Sequence, residues 1–192
     1  MKLTFASTSV TMLVLFSASA GTFAQHAGHG HGHHAPAQTP AAHSAQGQLP
    51  YAGFQDREIK ALSSQQVEGL RAGRGMSQAL AAELNGFPGP MHVLELAERL
   101  ELTAEQRTRV NELFSVMQKQ ARELGEELIA AERELDALFK SRRITPATLD
   151  SQTQKIAQVQ GRLRAVHLRK HLEMMHILTP EQVNSYNTLR GY

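Results

Sequence analysis

The 192-residue chain has no cysteine and no tryptophan, and aromatic residues make up only 5% of it. Without a thiol there is no disulfide, no thiolate metal site and no lipobox for a lipid anchor. Charge of one sign is missing too: Lys and Arg number 20 against 18 Asp and Glu. Loss of Lys2 with an export signal leaves 19 against 18, so the net charge falls from +2 to +1. No dense basic cluster is interleaved with aromatics, which excludes a nucleic-acid interface. No apolar run approaches the ~20 residues of a transmembrane helix. No nucleophile–base pair, pair of acids or phosphate loop stands out, which argues against an enzyme.

What is present begins with an export signal. Met1-Lys2 is a minimal positive start, Val10 to Phe16 is a short apolar core, and Ala18-Ser19-Ala20 and Thr22-Phe23-Ala24 are two small-residue cleavage sites. Residues 1–24 read as a signal peptide, with the mature protein starting at Gly21 or Gln25. It is expected to be soluble in a bacterial periplasm, with no stable membrane insertion after cleavage. Residues 25–50 are rich in Gly, Ala and Pro and too poor in apolar residues to bury a core, so they are expected to be disordered. This lead carries His26, His29, His31, His33 and His34. Neutral imidazoles at such spacing on a flexible backbone can wrap Zn²⁺, Ni²⁺ or Cu²⁺. The alternative is a solubilising tail.

Residues 51–192 read as one all-α domain, built on a hairpin from Thr103 to Gln182. The first arm carries Val110, Phe114, Met117, Ala121, Leu124, Leu128, Ala131, Leu135 and Leu138, a heptad rhythm held along its whole length. It needs a partner helix. That partner follows the turn Lys140-Ser141-Arg142-Arg143, starts at Thr145-Pro146 (a hydroxyl cap, then proline at the first helical position), and carries Leu149, Ile156, Val159, Leu163 and Val166. Acidic Glu123, Glu126, Glu127, Glu132 and Glu134 on one arm complement Lys155, Arg162, Arg164, Arg169 and Lys170 on the other. Gly125 and Gly161 sit near mid-arm at equal depth; they either permit close approach or a bend, or lie on the wet face. The first arm is about 60 Å long, too long for a small monomer to cover, so a homodimer is expected. Before the hairpin come short helices: one from Ser63 or Ser64 to Leu70 or Arg71, an amphipathic one from Met76 to Leu84 with Met76, Leu80 and Leu84 in a row, and, after the Pro88-Gly89-Pro90 elbow, one from Met91 to Leu100. Met76, Met91 and His92 are either packing or a soft-metal cluster.

Two pentapeptides bracket the hairpin: Leu102-Thr103-Ala104-Glu105-Gln106 and Leu178-Thr179-Pro180-Glu181-Gln182. Each has the form of a capping box, with Leu102 and Leu178 as staples, Thr103 and Thr179 as caps, and Gln106 and Gln182 reaching back to the cap N–H. The paired L-T-x-x-Q motifs resemble the Spy/CpxP family of small periplasmic helical proteins, over Leu62 to Tyr192. The resemblance implies a cradle-like dimer and either ATP-independent chaperoning or zinc- and nickel-related metal binding and sensing. Implied partners are unfolded or misfolded periplasmic proteins, with a sensor kinase or anti-sigma factor as a candidate signalling partner.

Near the end of the second arm His167, His171 and Met174 follow i, i+4, i+7 and share a face within about 40°, with Met175 beside them. Imidazoles one turn apart chelate, and a thioether favours nickel or copper over magnesium or calcium. The alternative is a set of helix-surface histidines. His171 and Met175 resemble the His-x3-Met pair of the family's nickel/cobalt sensors; those sensors' second His-x3-His pair has no counterpart between Pro50 and Met91. Antiparallel counting sets Glu112 opposite Met175, as an oxygen ligand or an orienting group. The reading is of a periplasmic metal-binding stress protein with chaperone activity, or else of a heavy-metal sensor or buffer without it.

Overall fold

A computed structural model describes residues 50–192. The expected signal peptide and the His26–His34 lead lie outside these residues. The described residues form a short 3-10 turn at Phe54–Asp56 and the helices α1 (Ser64–Arg71), α2 (Leu80–Glu83), α3 (Pro90–Glu95), α4 (Ala104–Lys140), α5 (Pro146–Met174) and α6 (Pro180–Arg190), with no strand among them. The all-α hairpin is therefore present, with short helices on either side.

Both arms start where the chain supplies a cap. Thr103 accepts from the Gln106 N–H at 3.1 Å and Gln106 returns the bond to the Thr103 N–H. At α5 the Thr145 hydroxyl accepts from the Thr148 N–H, the Thr148 hydroxyl takes the Thr145 N–H at 2.8 Å, and Pro146 follows the cap. The heptad stripe packs as its spacing demands. Met117, Ala121, Leu124, Leu128 and Ala131 of α4 meet Ile156, Val159, Leu163 and Val166 of α5 in one core. Val110 belongs instead to a second core at the open end, with Val93, Leu100, Leu102, Met174, Leu178, Val183 and Tyr186.

The two pentapeptides do more than cap their own helices. The Gln106 side chain donates to the Ile177 carbonyl (2.9 Å) and to Gln182 Oε1 (2.8 Å). The Gln182 side chain donates to the Leu100 carbonyl (3.1 Å) and to Gln106 Oε1 (3.1 Å). Each amide oxygen also accepts from its own threonine N–H. The two amides thus join the starts of α4 and α6 face to face, with Leu102 and Leu178 buried beside them.

Several local expectations are corrected. The helix expected over Met76–Leu84 is only Leu80–Glu83, because Met76 and Ser77 take left-handed φ values of 39° and 64°. Met76, Leu80 and Leu84 all face outward rather than into a core. The helix expected over Met91–Leu100 runs from Pro90 to Glu95 and continues as turns to Glu101, whose φ is 50°. The mid-arm glycines do not meet. A Cβ on Gly125 would lie 2.8 Å from the Leu70 carbonyl carbon, so this glycine admits α1 rather than α5, whereas nothing lies within 4 Å of such an atom on Gly161. The fully buried Ile129, outside the heptad stripe, stands one turn from Gly125 in the core shared with Leu70 of α1. The charged arms pair in part: Lys155 with Glu134 at 2.9 Å and Arg162 with Glu127 at 3.0 Å. Glu126 turns to Arg71 of α1, Lys170 to Glu173 of its own helix, and Glu132 is buried. Desolvation raises the pKa of Glu132.

Two stability predictions follow from these contacts. Gln106→Ala and Gln182→Ala should each cost about 2 kcal/mol, and the double variant less than their sum by about 1 kcal/mol, because each leaves the other's amide half-paired. Urea unfolding of the four proteins measures this, and strict additivity would contradict the lock. Gly161→Ala should stabilise by about 1 kcal/mol through helix propensity alone. Gly125→Ala should lose at least about 2 kcal/mol, since backbone rather than a flexible side chain occupies the space. Equal effects in thermal melts would refute the assignment of the two glycines to different environments.

Candidate metal site

His167 and His171 do share one face of α5, but that face is buried, with the residues 2% and 7% exposed respectively. They are not surface histidines. What covers them is the chain from Gly75 through the elbow after α2. A Cβ on Gly75 would lie 4.0 Å from His167 Nδ1, and one on Gly89 would lie 2.9 Å from His171 Cε1 and 3.2 Å from its Nε2.

The His171 ring is fixed by its partner. Nδ1 stands 2.7 Å from the Phe87 carbonyl, which can only accept, so Nδ1 carries the proton and Nε2 a free lone pair. The Cβ position of Gly89 is also 3.0 Å from Glu83 Oε2. With no side chain at Gly89, the His171 ring and the Glu83 carboxylate close directly over its Cα, so an imidazole nitrogen and a carboxylate oxygen converge there. His167 adds a second imidazole whose Nε2 is buried without a hydrogen-bond partner. Burial, and then the neighbouring His171, lowers the His167 pKa, so the ring stays uncharged further into acid.

Glu83, at the end of α2, is buried. An unpaired carboxylate there would be costly, and it is not unpaired. Its Oε1 accepts a short hydrogen bond from the Tyr186 hydroxyl of α6. Around the same oxygen stand His92 Nδ1 of α3 at 3.1 Å, the Tyr192 hydroxyl at 3.3 Å and Arg190 Nε at 3.6 Å. Oε2 receives no hydrogen bond among the described residues; His171 Nδ1 lies 3.7 Å from it. Burial, and then the bond to Glu83, pushes the Tyr186 hydroxyl pKa well up, so it acts as a donor throughout the physiological range.

The other expected site residues divide. Met174 shares the buried face and has no exposed surface, in the open-end core with Tyr186. Met175, at the C-cap of α5, is 38% exposed. Glu112, set opposite Met175 by simple counting, lines a shallow groove with Lys170, Glu173 and His176, and the interarm ion pairs stand about two residues off that count. Met76 packs its sulfur over Gly69, and His92 turns its Nδ1 to Glu83. Among the described residues no three His, Asp or Glu side chains already stand in a metal-holding array. Glu83 and Tyr186 had no local signal: one is a glutamate among many, the other a lone tyrosine on a polar helix.

No helix among the described residues is long and apolar enough to cross a membrane. Comparison with curated proteins and with solved structures finds no match in either. A family model described as heavy-metal resistance matches residues 72–184, which span α2 to α6 up to Asn184 and take in Glu83, both buried histidines and both capping motifs. The chain belongs to this heavy-metal resistance family, within the Spy/CpxP-like helical group.

Proposed function

We propose that the protein binds a heavy-metal cation of the zinc, nickel or copper class in the periplasm, as a buffer or sensor in metal resistance. One observation carries this reading: His171 Nε2, its lone pair left free by the Phe87 hydrogen bond to Nδ1, and Glu83 Oε2 both pack against Gly89, with no side chain between them. Such an orienting bond on the far ring nitrogen is the usual support of a ligating histidine. His171 and Glu83 would hold the cation, and His167, buried one turn away with its Nε2 unpartnered, would join them only as the site closes on the cation. Imidazole, carboxylate and a nearby thioether, Met174, make a donor set that suits borderline and soft cations.

The lead histidines His26, His29, His31, His33 and His34 would supply a second class of site, since imidazoles at that spacing in sequence suit the same borderline cations. The reading of residues 1–24 as a cleaved signal supports a location outside the cytoplasm. A second reading, ATP-independent chaperoning, is favoured by the groove between the arms, where Leu113, Val116 and Ile177 lie between Arg109 and Lys170 and the acids Glu112 and Glu173. Such a strip of mixed apolar and charged surface suits exposed clients, and a homodimer would lengthen it.

Calorimetric titration with Zn²⁺, Ni²⁺ and Cu²⁺ tests the metal reading. With the five lead histidines changed to Ser, one tight site should remain. His171→Ala, Glu83→Ala and Gly89→Ala should each weaken it at least about tenfold, equivalent to about 1.4 kcal/mol. Gly89→Ala is the sharpest arm, because it removes no donor and only displaces His171 and Glu83 from each other. Unchanged affinity in all three variants would leave the helical domain without a metal role. For the chaperone reading, light scattering of an unfolding client should fall at a few-fold molar excess of the protein, and Val116→Asp should abolish the effect; no protection by the unsubstituted chain would dismiss it.

A further inference from the structure

The two oxygens of the buried Glu83 carboxylate are treated differently. Donors crowd Oε1, while Oε2 receives no hydrogen bond among the described residues and faces Gly89 and the His171 ring. A carboxylate free on both oxygens can bind a cation through both, as large oxygen-seeking cations such as Ca²⁺ often require. Zinc-class cations are satisfied by one carboxylate oxygen beside imidazole nitrogen.

The donor that matters most is Tyr186. Its side chain has no exposed surface, so packing fixes where the hydroxyl stands. The Gly89 N–H donates to that hydroxyl oxygen at 3.4 Å, which leaves the hydroxyl proton directed at Glu83 Oε1. Tyr186 also lies one helical turn beyond Gln182 on α6, so the amide lock at the start of α6 sets its position. The elbow glycine thus does two things at once: it lets the His171 ring close beside Oε2 and orients the group that occupies Oε1.

We propose that Tyr186 is a positioning and specificity-determining residue, which ties down Oε1 so that Glu83 presents a single oxygen and the site prefers small, imidazole-binding cations over calcium and manganese. This rests on the metal reading above. The test uses the full chain with the lead histidines changed to Ser. Affinities for Zn²⁺, Ca²⁺ and Mn²⁺ are measured by competition against a chromophoric chelator, for the parent and for Tyr186→Phe. In the variant Oε1 is released, and the preference for Zn²⁺ over Ca²⁺ and Mn²⁺ should fall about tenfold or more. A ratio within twofold of the parent overturns the proposal. A merely structural role for Tyr186 would weaken all three cations together and leave that ratio in place.

A second measurement needs no variant and decides the matter if Tyr186→Phe does not fold. The buried Tyr186 hydroxyl proton, held by a carboxylate, should give a slowly exchanging downfield proton resonance in the metal-free protein. It should persist on saturation with Zn²⁺, because Oε1 stays with the tyrosine. Its loss on Zn²⁺ binding overturns the proposal. Should the parent bind no Zn²⁺ at the α5 site at all, the metal reading itself fails and the role of Tyr186 falls with it; tight Zn²⁺ binding with an unmoved selectivity ratio removes the Tyr186 assignment alone.

Discussion

Two glutamine side chains hold the open end of this molecule together. Gln106 and Gln182 exchange hydrogen bonds through their amides, satisfy the first N–H groups of their own helices and reach across to the Ile177 and Leu100 carbonyls. A primary amide has two donors and an oxygen with two lone pairs, and here each of the four is used. No other neutral side chain of that length can cap its own helix and bridge to a second one at the same time. The requirement explains why the pentapeptide occurs twice: a single copy would leave the other amide half-satisfied in a partly buried place, where unmade hydrogen bonds are expensive.

Everything that distinguishes the open end follows from that closure. α6 is short and mostly polar, and it holds to the hairpin through the lock and through Val183 and Tyr186 in the open-end core. Once α6 is placed, the Tyr186 hydroxyl stands where Glu83 can be buried against it, and Glu83 in turn gathers His92, Tyr192 and Arg190. His171 of α5 meets this carboxylate because the Phe87 to Pro90 elbow passes over it. A structural motif and a chemical site are thus joined by one turn of helix.

What could be read from the sequence was whatever local periodicity dictates. The arms, their caps, the turn between them and the shared face of His167, His171 and Met174 all follow from steps of three and four and from hydroxyls in the right places. What could not be read depends on a partner far along the chain. Gly125 looked like the mate of Gly161 because both lie mid-arm, yet its neighbour is the α1 backbone, and no pattern within α4 says that α1 docks there. The spacing of His167 and His171 gives their face but not what covers it. The residues from Met76 to Leu84 keep an amphipathic pattern, yet the chain spends Met76 and Ser77 on a left-handed bend that carries it past His167. Glu83 was the least legible, since its importance comes wholly from burial.

The scarcity of aromatic residues has an optical consequence. The chain has three tyrosines and no tryptophan, and two of the three tyrosines, Tyr186 and Tyr192, have their hydroxyls on the same oxygen of Glu83. Near-ultraviolet absorption and emission from the folded protein therefore come mostly from rings that touch one carboxylate. The molecule carries a built-in reporter of the state of its own buried charge, with no dye attached and with only Tyr51 as background.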